Sequence, residues 1–182
     1  TGFRKQMDAL GVSAYRAVAT SAVRDCENRT ALLDTIRQTA AIVIEVIDAA
    51  EEMRLVARAV RARVELGNAT WLLVDVGGGS AQFASLTARD VRWTTSCLLG
   101  AVRLLQAAKE AKNPPARWRA IIARHLAPLQ HYLATHRVRV RGLIAVGGGI
   151  DALAQLAGMP PDSARTFMLP VSRMDALLSQ LA

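Results

Sequence analysis

Two apolar segments of this chain each end in three consecutive glycines. Residues 73–76 lead into the turn 77–80, and residues 143–146 lead into the turn 147–149. Short apolar runs that are bounded by glycine predict buried β-strands. Glycine then allows a tight turn in which the backbone N–H groups are unobstructed by side chains. The sequence therefore predicts two strands that each deliver a glycine turn at the carboxyl end.

The first of these turns carries polar groups that suit a phosphate ligand. The backbone N–H groups of Gly77, Gly78 and Gly79 can cradle a phosphate, and Ser80 adds a hydroxyl donor. Asp75, at the end of the strand, can hold a divalent cation or a water. Three glycines between two strands are also consistent with a simple hairpin, because short glycine motifs recur by chance. The turn alone leaves both interpretations open.

The amino-acid composition limits both the fold class and the kinds of partner that the protein can bind. The chain has 182 residues, 52% of them hydrophobic, which is enough to build a core in one generous domain or two small ones. The abundance of Ala, Leu, Val and Arg favours helices and parallel strands over an all-β sandwich. A net charge of +8 favours polyanionic partners such as polyphosphate, nucleotides or nucleic acid. Nucleic acid is the least expected of these, since aromatic residues make up only 4% and cannot supply a base-stacking platform.

The cysteine content and the lack of long apolar runs indicate the compartment. Cys26 and Cys97 are isolated, with no CxxC motif or nearby histidine cluster, which predicts neither a zinc site nor a disulfide scaffold. No apolar run is long enough to span a membrane, and no signal peptide opens the sequence. We therefore expect a cytoplasmic protein with no membrane partner.

The pattern along the chain predicts alternating strands and helices. Strands are predicted at 15–19, 42–47, 71–76, 82–86, 91–95 and 143–146. Helices are predicted at 3–10, from Asn28 or Thr30 to about 39, at 50–65, 101–112 and 115–135, and from the second glycine turn to 156. A polar turn is predicted at 20–24, and Gly67-Asn68 is the best candidate for a domain boundary.

The helix predicted at 50–65 has an apolar face. Met53, Val56, Val60 and Val64 are spaced three, four and four residues apart, which brings them to one side of a helix. This helix is therefore expected to pack against a core.

Five motifs occur in order along the chain and carry a family resemblance. They are Val18-Ala-Thr-Ser-Ala-Val-Arg24, Asn28-Arg29, Glu51-Glu-Met-Arg-Leu55, Val74-Asp-Val-Gly-Gly-Gly-Ser80 and Leu99-Gly-Ala-Val-Arg-Leu104. The series resembles the exopolyphosphatase and guanosine pentaphosphate phosphohydrolase (Ppx/GppA) family, a branch of the actin-like and sugar-kinase-like phosphotransferase superfamily.

The resemblance implies an α/β protein of the actin-like (ribonuclease H-like) ATPase fold. Residues 1–66 resemble the C-terminal half of the first lobe, and residues 67–182 resemble most of the second lobe. By this resemblance, we expect phosphate and magnesium to bind between the lobes, and a homodimer is one expected assembly. The family's first phosphate loop, Asp-x-Gly-(Ser/Thr)-Asn-Ser, is not found in this sequence, so we expect the chain to be a piece of a longer protein.

The resemblance also assigns roles to individual residues. Glu52 corresponds to the general base that activates the attacking water, and Arg24 to a guanidinium that binds phosphate oxygens. Asp75 corresponds to the aspartate associated with Mg²⁺, and the turn Gly77–Ser80 to a phosphate-binding loop. Simpler interpretations exist for each: stabilisation of a helix start for Glu52, a surface position for Arg24, and a strand-end turn carboxylate for Asp75.

Two residues depart from the family pattern at the expected active site. Ala49 and Ala50 follow Asp48 where the family usually has Ser-Gly before its Glu-Glu pair; alanine does not readily adopt the positive φ that glycine tolerates. Gln82 stands where the family usually has glutamate, and an amide cannot act as a base or as a strong metal ligand. Both departures bear on catalytic competence. The role of the second glycine turn stays open between facing a nucleoside and packing near the substrate.

The leading hypothesis is a phosphohydrolase. It would remove the terminal phosphate from inorganic polyphosphate or guanosine pentaphosphate by Mg²⁺-assisted, in-line attack of water. The alternative is a catalytically weak or inactive relative that binds polyphosphate or an alarmone nucleotide. An ATP-using kinase of the wider superfamily ranks last, because the Arg24 and Glu-Glu motifs belong to the phosphohydrolase branch.

Overall fold

The computed structural model describes residues 2–109, 114–159 and 166–181. The chain forms two compact units, residues 1–52 and residues 53–182, which divide between Glu52 and Met53 within one helix. The sequence-based assignment of 1–66 and 67–182 to two actin-like lobes stays a prediction. Among the described residues, no helix has the length and apolar character needed to cross a membrane.

The first unit contains a two-stranded parallel sheet flanked by helices. Its elements are α1 (Gly2–Ala9), β1 (Ala17–Ala19), α2 (Ser21–Arg24), α3 (Arg29–Ala40), β2 (Ile44–Val46) and the first turn of α4 (Ala49–Arg61). β1 pairs with β2 in register from Ala17↔Ile44 to Ala19↔Val46. Both strands are shorter than the predicted ranges 15–19 and 42–47.

The predicted polar turn at 20–24 is wrong, because residues 21–24 form the short helix α2, which Thr20 precedes. Thr20 has an extended backbone, and its carbonyl oxygen accepts from the N–H groups of Val23 and Arg24 at 3.0 and 2.9 Å. The Ser21 hydroxyl donates to Asp25 at 3.2 Å across the same turn. Four residues are too few to show a helical period in the sequence.

The second unit is built on a four-stranded sheet with the order β5-β4-β3-β6. Its strands are β3 (Trp71–Val76), β4 (Ala81–Leu86), β5 (Val91–Cys97) and β6 (Leu143–Val146). β4 is antiparallel to both β3 and β5, whereas β6 is parallel to β3. The predictions for β3 and β6 are confirmed at the same residues.

Four further helices occur in the described part of this unit. They are α5 (Ala101–Lys109), α6 (Pro114–Thr135), α7 (Gly148–Leu156) and α8 (Val171–Leu181). The last residues of the predicted helix 101–112 lie outside the described part of the chain. α8 had no counterpart among the sequence-based predictions.

Two apolar clusters cover the two faces of this sheet. Met53, Ala57 and Val60 of α4 pack with Leu73, Ala84 and Leu86 on one face. Val74, Ala81 and Phe83 pack with Leu99 and Leu129 on the other. Because both faces are covered, all six residues of β4 are buried.

The predicted apolar face of α4 is confirmed. Met53 and Val60 are buried in the first cluster, and Val56 and Val64 are partly buried against it. The helix itself ends at Arg61 rather than near residue 65, so Val64 reaches the core from the segment that follows.

Candidate active site

Arg24 and Glu52, the two predicted catalytic residues, lie side by side within residues 1–52. One guanidinium nitrogen, Nη1 of Arg24, lies 3.4 Å from Oε2 of Glu52 and donates to the Ile47 carbonyl oxygen at 2.8 Å. The side chains are 23% and 14% exposed, so solvent screens this pair less than it screens a surface pair. The arrangement places a proton acceptor beside a guanidinium that can bind phosphate oxygens.

The parallel pairing of β1 and β2 explains why these distant residues meet. Carboxyl ends of parallel strands lie at the same edge of a sheet. α2, which ends at Arg24, follows β1, and α4, which begins with Glu52 in its first turn, follows β2. Neighbouring strands therefore deliver Arg24 and Glu52 to one edge.

The neighbouring carboxylate, Glu51, has a different partner. Arg16 lies 3.3 Å from Glu51 and binds Glu45 through two nitrogens at 2.9 and 3.0 Å. Hydrogen bonds from Arg16 lower the pKa of the exposed Glu45 carboxyl. Adjacent glutamates in the sequence thus belong to two separate arginine clusters, which the Glu-Glu pair alone did not indicate.

The departure from the family pattern at Ala49 leaves the helix start intact. Ala49 is the first residue of α4 and has no positive φ. Oδ1 of Asp48 accepts from the Glu51 N–H at 2.7 Å, and the Asp48 carbonyl oxygen accepts from the Glu52 N–H at 3.0 Å. Asp48 therefore caps the helix.

Asp75 lies at the carboxyl end of β3, where the apolar sheet face becomes polar. Along β3 and β4, side chains of one face alternate with those of the other, so Leu73 and Asp75 share a face. Asp75 pairs with Gln82 of β4 on one side and with Val146 of β6 on the other. Asp75 is half-buried and Gln82 is 3% exposed. The residue that replaces the family's glutamate thus lies directly opposite the predicted metal ligand.

The first glycine turn is the connection of the β3–β4 hairpin. Val76 pairs with Ala81, and the Gly77 N–H donates to the Ser80 carbonyl oxygen at 3.0 Å. The turn is therefore the loop of a β-hairpin. This geometry is also compatible with phosphate binding. Ser80 is 5% exposed, whereas Gly77 and Gly78 are exposed.

The start of α5 holds this turn in place. The Gly77 carbonyl oxygen accepts from the Ala101 N–H at 3.0 Å, and the Gly78 carbonyl oxygen accepts from the Val102 N–H at 3.0 Å. Nε of Arg103 donates to the Gly79 carbonyl oxygen at 2.8 Å. Helix N-termini have unused N–H groups, and here they are satisfied by the turn. The carbonyl groups of the turn are thereby directed toward α5.

The N–H groups of Gly78 and Gly79 stay available. Among the described residues, neither donates a hydrogen bond to a protein acceptor. Oriented backbone N–H groups in a fixed turn bind anions, and phosphate oxygens are suitable acceptors. The chemistry predicted for the turn is therefore compatible with its geometry.

The second glycine turn packs against the end of β3. Gly147 has φ of +104°, and a Cβ there would lie 2.4 Å from the Val76 carbonyl oxygen and 3.0 Å from a carboxylate oxygen of Asp75. Only glycine fits at this approach. The turn therefore flanks Asp75, and α7 begins beside it. Whether it faces a nucleoside or the substrate stays an open prediction.

Asp75 and its surroundings fit a magnesium ion. Mg²⁺ typically takes one or two carboxylates and fills its other positions with water and substrate phosphate. No cluster of three or more histidine, cysteine or acidic residues occurs in the described part of the chain. One carboxylate followed by a turn with available N–H groups is consistent with this type of site, and Asp75 is the residue that would hold the ion.

The sequence analysis assigned no role to three residues that shape the candidate site. Gly100 fits against the turn so closely that a Cβ would lie 2.1 Å from the Gly78 carbonyl oxygen. Arg103 holds the turn, and Arg16 holds Glu51. Gly100 and Arg103 belong to one of the five motifs, which was the available signal. Arg16 had none.

Comparison with known proteins defines the class of this α/β protein. The Ppx/GppA phosphatase family matches residues 1–181, and the chain belongs to this family. Exopolyphosphatase 1 of Mycobacterium tuberculosis is 30% identical over 168 residues, covering 89% of this chain and 48% of that protein. Exopolyphosphatase 1 of Mycobacterium leprae is 28% identical over 166 residues, covering 89% of this chain and 49% of that protein. The chain spans about half the length of these curated relatives.

Solved structures agree with this assignment. An exopolyphosphatase from Cytophaga hutchinsonii matches with a TM-score of 0.87 and 27% identity, covering 99% of this chain and 60% of that one. A Ppx/GppA family member from Aquifex aeolicus matches with a TM-score of 0.73 and 23% identity, covering 98% and 58%, which shows the fold alone. The predicted family and the predicted α/β, actin-like fold class are both confirmed.

Proposed function

We propose that the protein is a phosphohydrolase that removes the terminal phosphate from inorganic polyphosphate by in-line attack of water. Guanosine pentaphosphate, which ends in the same type of bond, is the alternative substrate. The observation that carries the proposal is the glycine turn: its carbonyl groups are bound by α5, and the N–H groups of Gly78 and Gly79 remain available in the turn that follows Asp75. The curated relatives named exopolyphosphatase supply the substrate class.

Residues 53–182 supply phosphate binding. The N–H groups of Gly78 and Gly79 donate to oxygens of the terminal phosphate, and the bonds from α5 keep the turn from rearranging when charge develops on those oxygens. Asp75 would hold Mg²⁺. When bound, this ion neutralises charge on the phosphate oxygens.

Residues 1–52 supply the acid–base group. Glu52 accepts a proton from the attacking water, and the partly buried Arg24 beside it holds the carboxylate and offers further donors to phosphate oxygens. The bond from Arg24 to the Ile47 carbonyl oxygen fixes the guanidinium at this place.

Phosphate release from polyphosphate by the full-length protein tests the proposal. Glu52→Gln keeps the size of the side chain and removes the base, so we expect kcat to fall by about 10²–10⁴-fold. Glu51→Gln is the matched control, because Glu51 lies in the same helical turn but pairs with Arg16; its kcat should change less than about threefold, as for a surface ion pair. Unchanged hydrolysis by Glu52→Gln would refute the assignment.

A second function, binding without turnover, is favoured by one observation. Gln82 is neutral and buried directly opposite Asp75, so this edge of the sheet has one carboxylate where the family usually has two. Calorimetry with polyphosphate in Mg²⁺ separates the two functions. Tight binding without phosphate release supports a binding protein. If the protein neither binds polyphosphate nor releases phosphate, this function is excluded.

A further inference from the structure

A basic groove lies at the end of the four-stranded sheet that faces away from the glycine turns. We call it the arginine groove; it has a volume of about 970 Å³ and is lined by residues 61–69, Trp71, Ala88 and Arg141. Trp71 begins β3 and Arg141 directly precedes β6, whereas the glycine turns follow the carboxyl ends of these two strands. At about 3.3 Å per residue, a six-residue strand separates the two ends by roughly 20 Å. The groove is therefore distinct from the candidate active site.

The charge of the arginine groove is unbalanced. Arg61, Arg63 and Arg141 line it, against one carboxylate, Glu65. None of the salt bridges found among the described residues includes Arg61 or Arg141. Concave surfaces lined by one sign of charge focus the field and concentrate ligands of the opposite sign. An anion is the ligand that this surface favours.

Arg61 is held in position before any ligand arrives. Its Nε donates to the Thr87 carbonyl oxygen at 3.1 Å, which fixes the plane of the guanidinium. Its Nη2 is buried and has no hydrogen-bond partner among the described residues. Because Nη2 is closed to solvent, a ligand in the groove meets Arg61 at its other atoms, and anion oxygens are the partners that a guanidinium binds best.

Main-chain bonds and close packing fix the walls of the groove. The Trp71 indole N–H donates to the Leu66 carbonyl oxygen at 3.0 Å. The Arg141 N–H donates to the Thr70 carbonyl oxygen at 2.8 Å, and Gly142 lies against the Trp71 ring, where a Cβ would be 3.0 Å away. Pre-formed sites lose less conformational entropy when a ligand binds. The backbone that carries Trp71 and Arg141 is therefore fixed before a ligand binds.

We propose that the arginine groove is a second anion site, which binds phosphate groups through Arg61 and Arg141. With a volume of about 970 Å³, the groove has room for several linked phosphates. Such phosphates can come from the part of a polyphosphate chain that is remote from the reacting end, or from free phosphate. The choice of phosphate among anions rests on the proposed function.

Calorimetric titration of the full-length protein tests this site. The Glu52→Gln background prevents turnover, and the probes are inorganic phosphate, tripolyphosphate and long-chain polyphosphate. We expect Arg141→Gln to weaken one binding event by at least about tenfold, the loss typical of one charge-assisted contact, and to leave binding at the glycine turn unchanged. Arg92→Gln, at an exposed position on β5, removes the same charge outside the groove and should have no such effect.

Each outcome has a distinct meaning. An effect of Arg141→Gln on all three probes identifies a site for free phosphate, and an effect on long chains alone identifies a site for the remote part of the substrate; both support the proposal. Equal weakening by Arg92→Gln, or no weakening by Arg141→Gln, overturns it. Arg141-dependent binding in a wild-type protein that releases no phosphate would uphold the groove and refute the proposed hydrolysis.

Discussion

At the scale of single residues, Gln82 places a neutral amide beside Asp75, where a glutamate would add a negative charge. The two residues are paired on neighbouring strands, and Gln82 is 3% exposed. In Gln82→Glu, two carboxylates share a largely buried edge, and their repulsion and desolvation should lower the free energy of unfolding by about 1–3 kcal/mol without metal. Mg²⁺ can bind two carboxylates, so millimolar Mg²⁺ should restore most of the loss. Urea unfolding with and without MgCl₂ measures both values.

The matched control for this prediction is Gln82→Met, which has a similar size and no charge. Its stability should be insensitive to Mg²⁺. If Gln82→Glu loses the same free energy with and without Mg²⁺, then no metal binds beside Asp75, and the magnesium proposal is wrong.

Gly100 is a second residue whose identity the structure explains. A Cβ at this position would lie 2.1 Å from the backbone oxygen of Gly78, a distance that requires α5 or the turn to move. Gly100→Ala should therefore destabilise the protein by about 1–3 kcal/mol, as overpacking against backbone does, and raise the KM for polyphosphate. Gly148→Ala is the stability control, because a Cβ there meets nothing within 4 Å. Phosphate release and urea unfolding check the two variants, and equal stabilities would contradict the proposed packing.

At the scale of elements, the start of α4 shows how a cap positions the proposed base. Asp48 accepts from the Glu51 N–H at 2.7 Å, four residues before Glu52. Asp48→Ala should cost about 0.5–2 kcal/mol of stability, the usual loss for a helix cap, and should lower kcat because the first turn frays. Asp48→Asn retains an acceptor oxygen and should recover most of both. A fall in kcat with Asn as large as with Ala would instead implicate the charge of Asp48.

The elements also show which features a sequence can reveal. β3 and β6 were predictable at their observed bounds because each is a mainly apolar run that ends at glycine, and Asp75 is the single charged residue within β3. The bonds from α5 to the first glycine turn were not predictable, because hydrogen bonds between separate segments leave no period in a sequence. The approach of Gly147 to Asp75 depends on β6 lying next to β3, and strand order is not encoded in any local pattern.

The contact between Arg24 and Glu52 illustrates the same limit. The motifs indicated both residues, and their proximity follows only once β1 and β2 are known to be parallel neighbours. Their catalytic roles, like those of Asp75 and the glycine turn, stay predictions that activity measurements must decide.

At the scale of the whole molecule, the sheet of residues 53–182 carries apolar side chains on two covered faces. Leu73 is fully buried in the cluster that includes α4. Ser85 on β4 is 1% exposed, and its hydroxyl oxygen has no hydrogen-bond partner among the described residues. Leu73 thus buries apolar surface in the core, whereas Ser85 buries a hydroxyl group that has no hydrogen-bond partner among the described residues.

These two positions should respond in opposite directions to the same substitution. Leu73→Ala leaves a cavity between α4 and the sheet and should cost about 2–5 kcal/mol. Ser85→Ala removes a buried hydroxyl without a partner, so the free energy of unfolding should stay unchanged or rise by up to about 1 kcal/mol. Urea unfolding of both variants, with activity measured beside it, separates the effects. A loss of more than about 1 kcal/mol in Ser85→Ala would show that this hydroxyl is bonded in solution, and the packing of β4 would then differ from the arrangement described above.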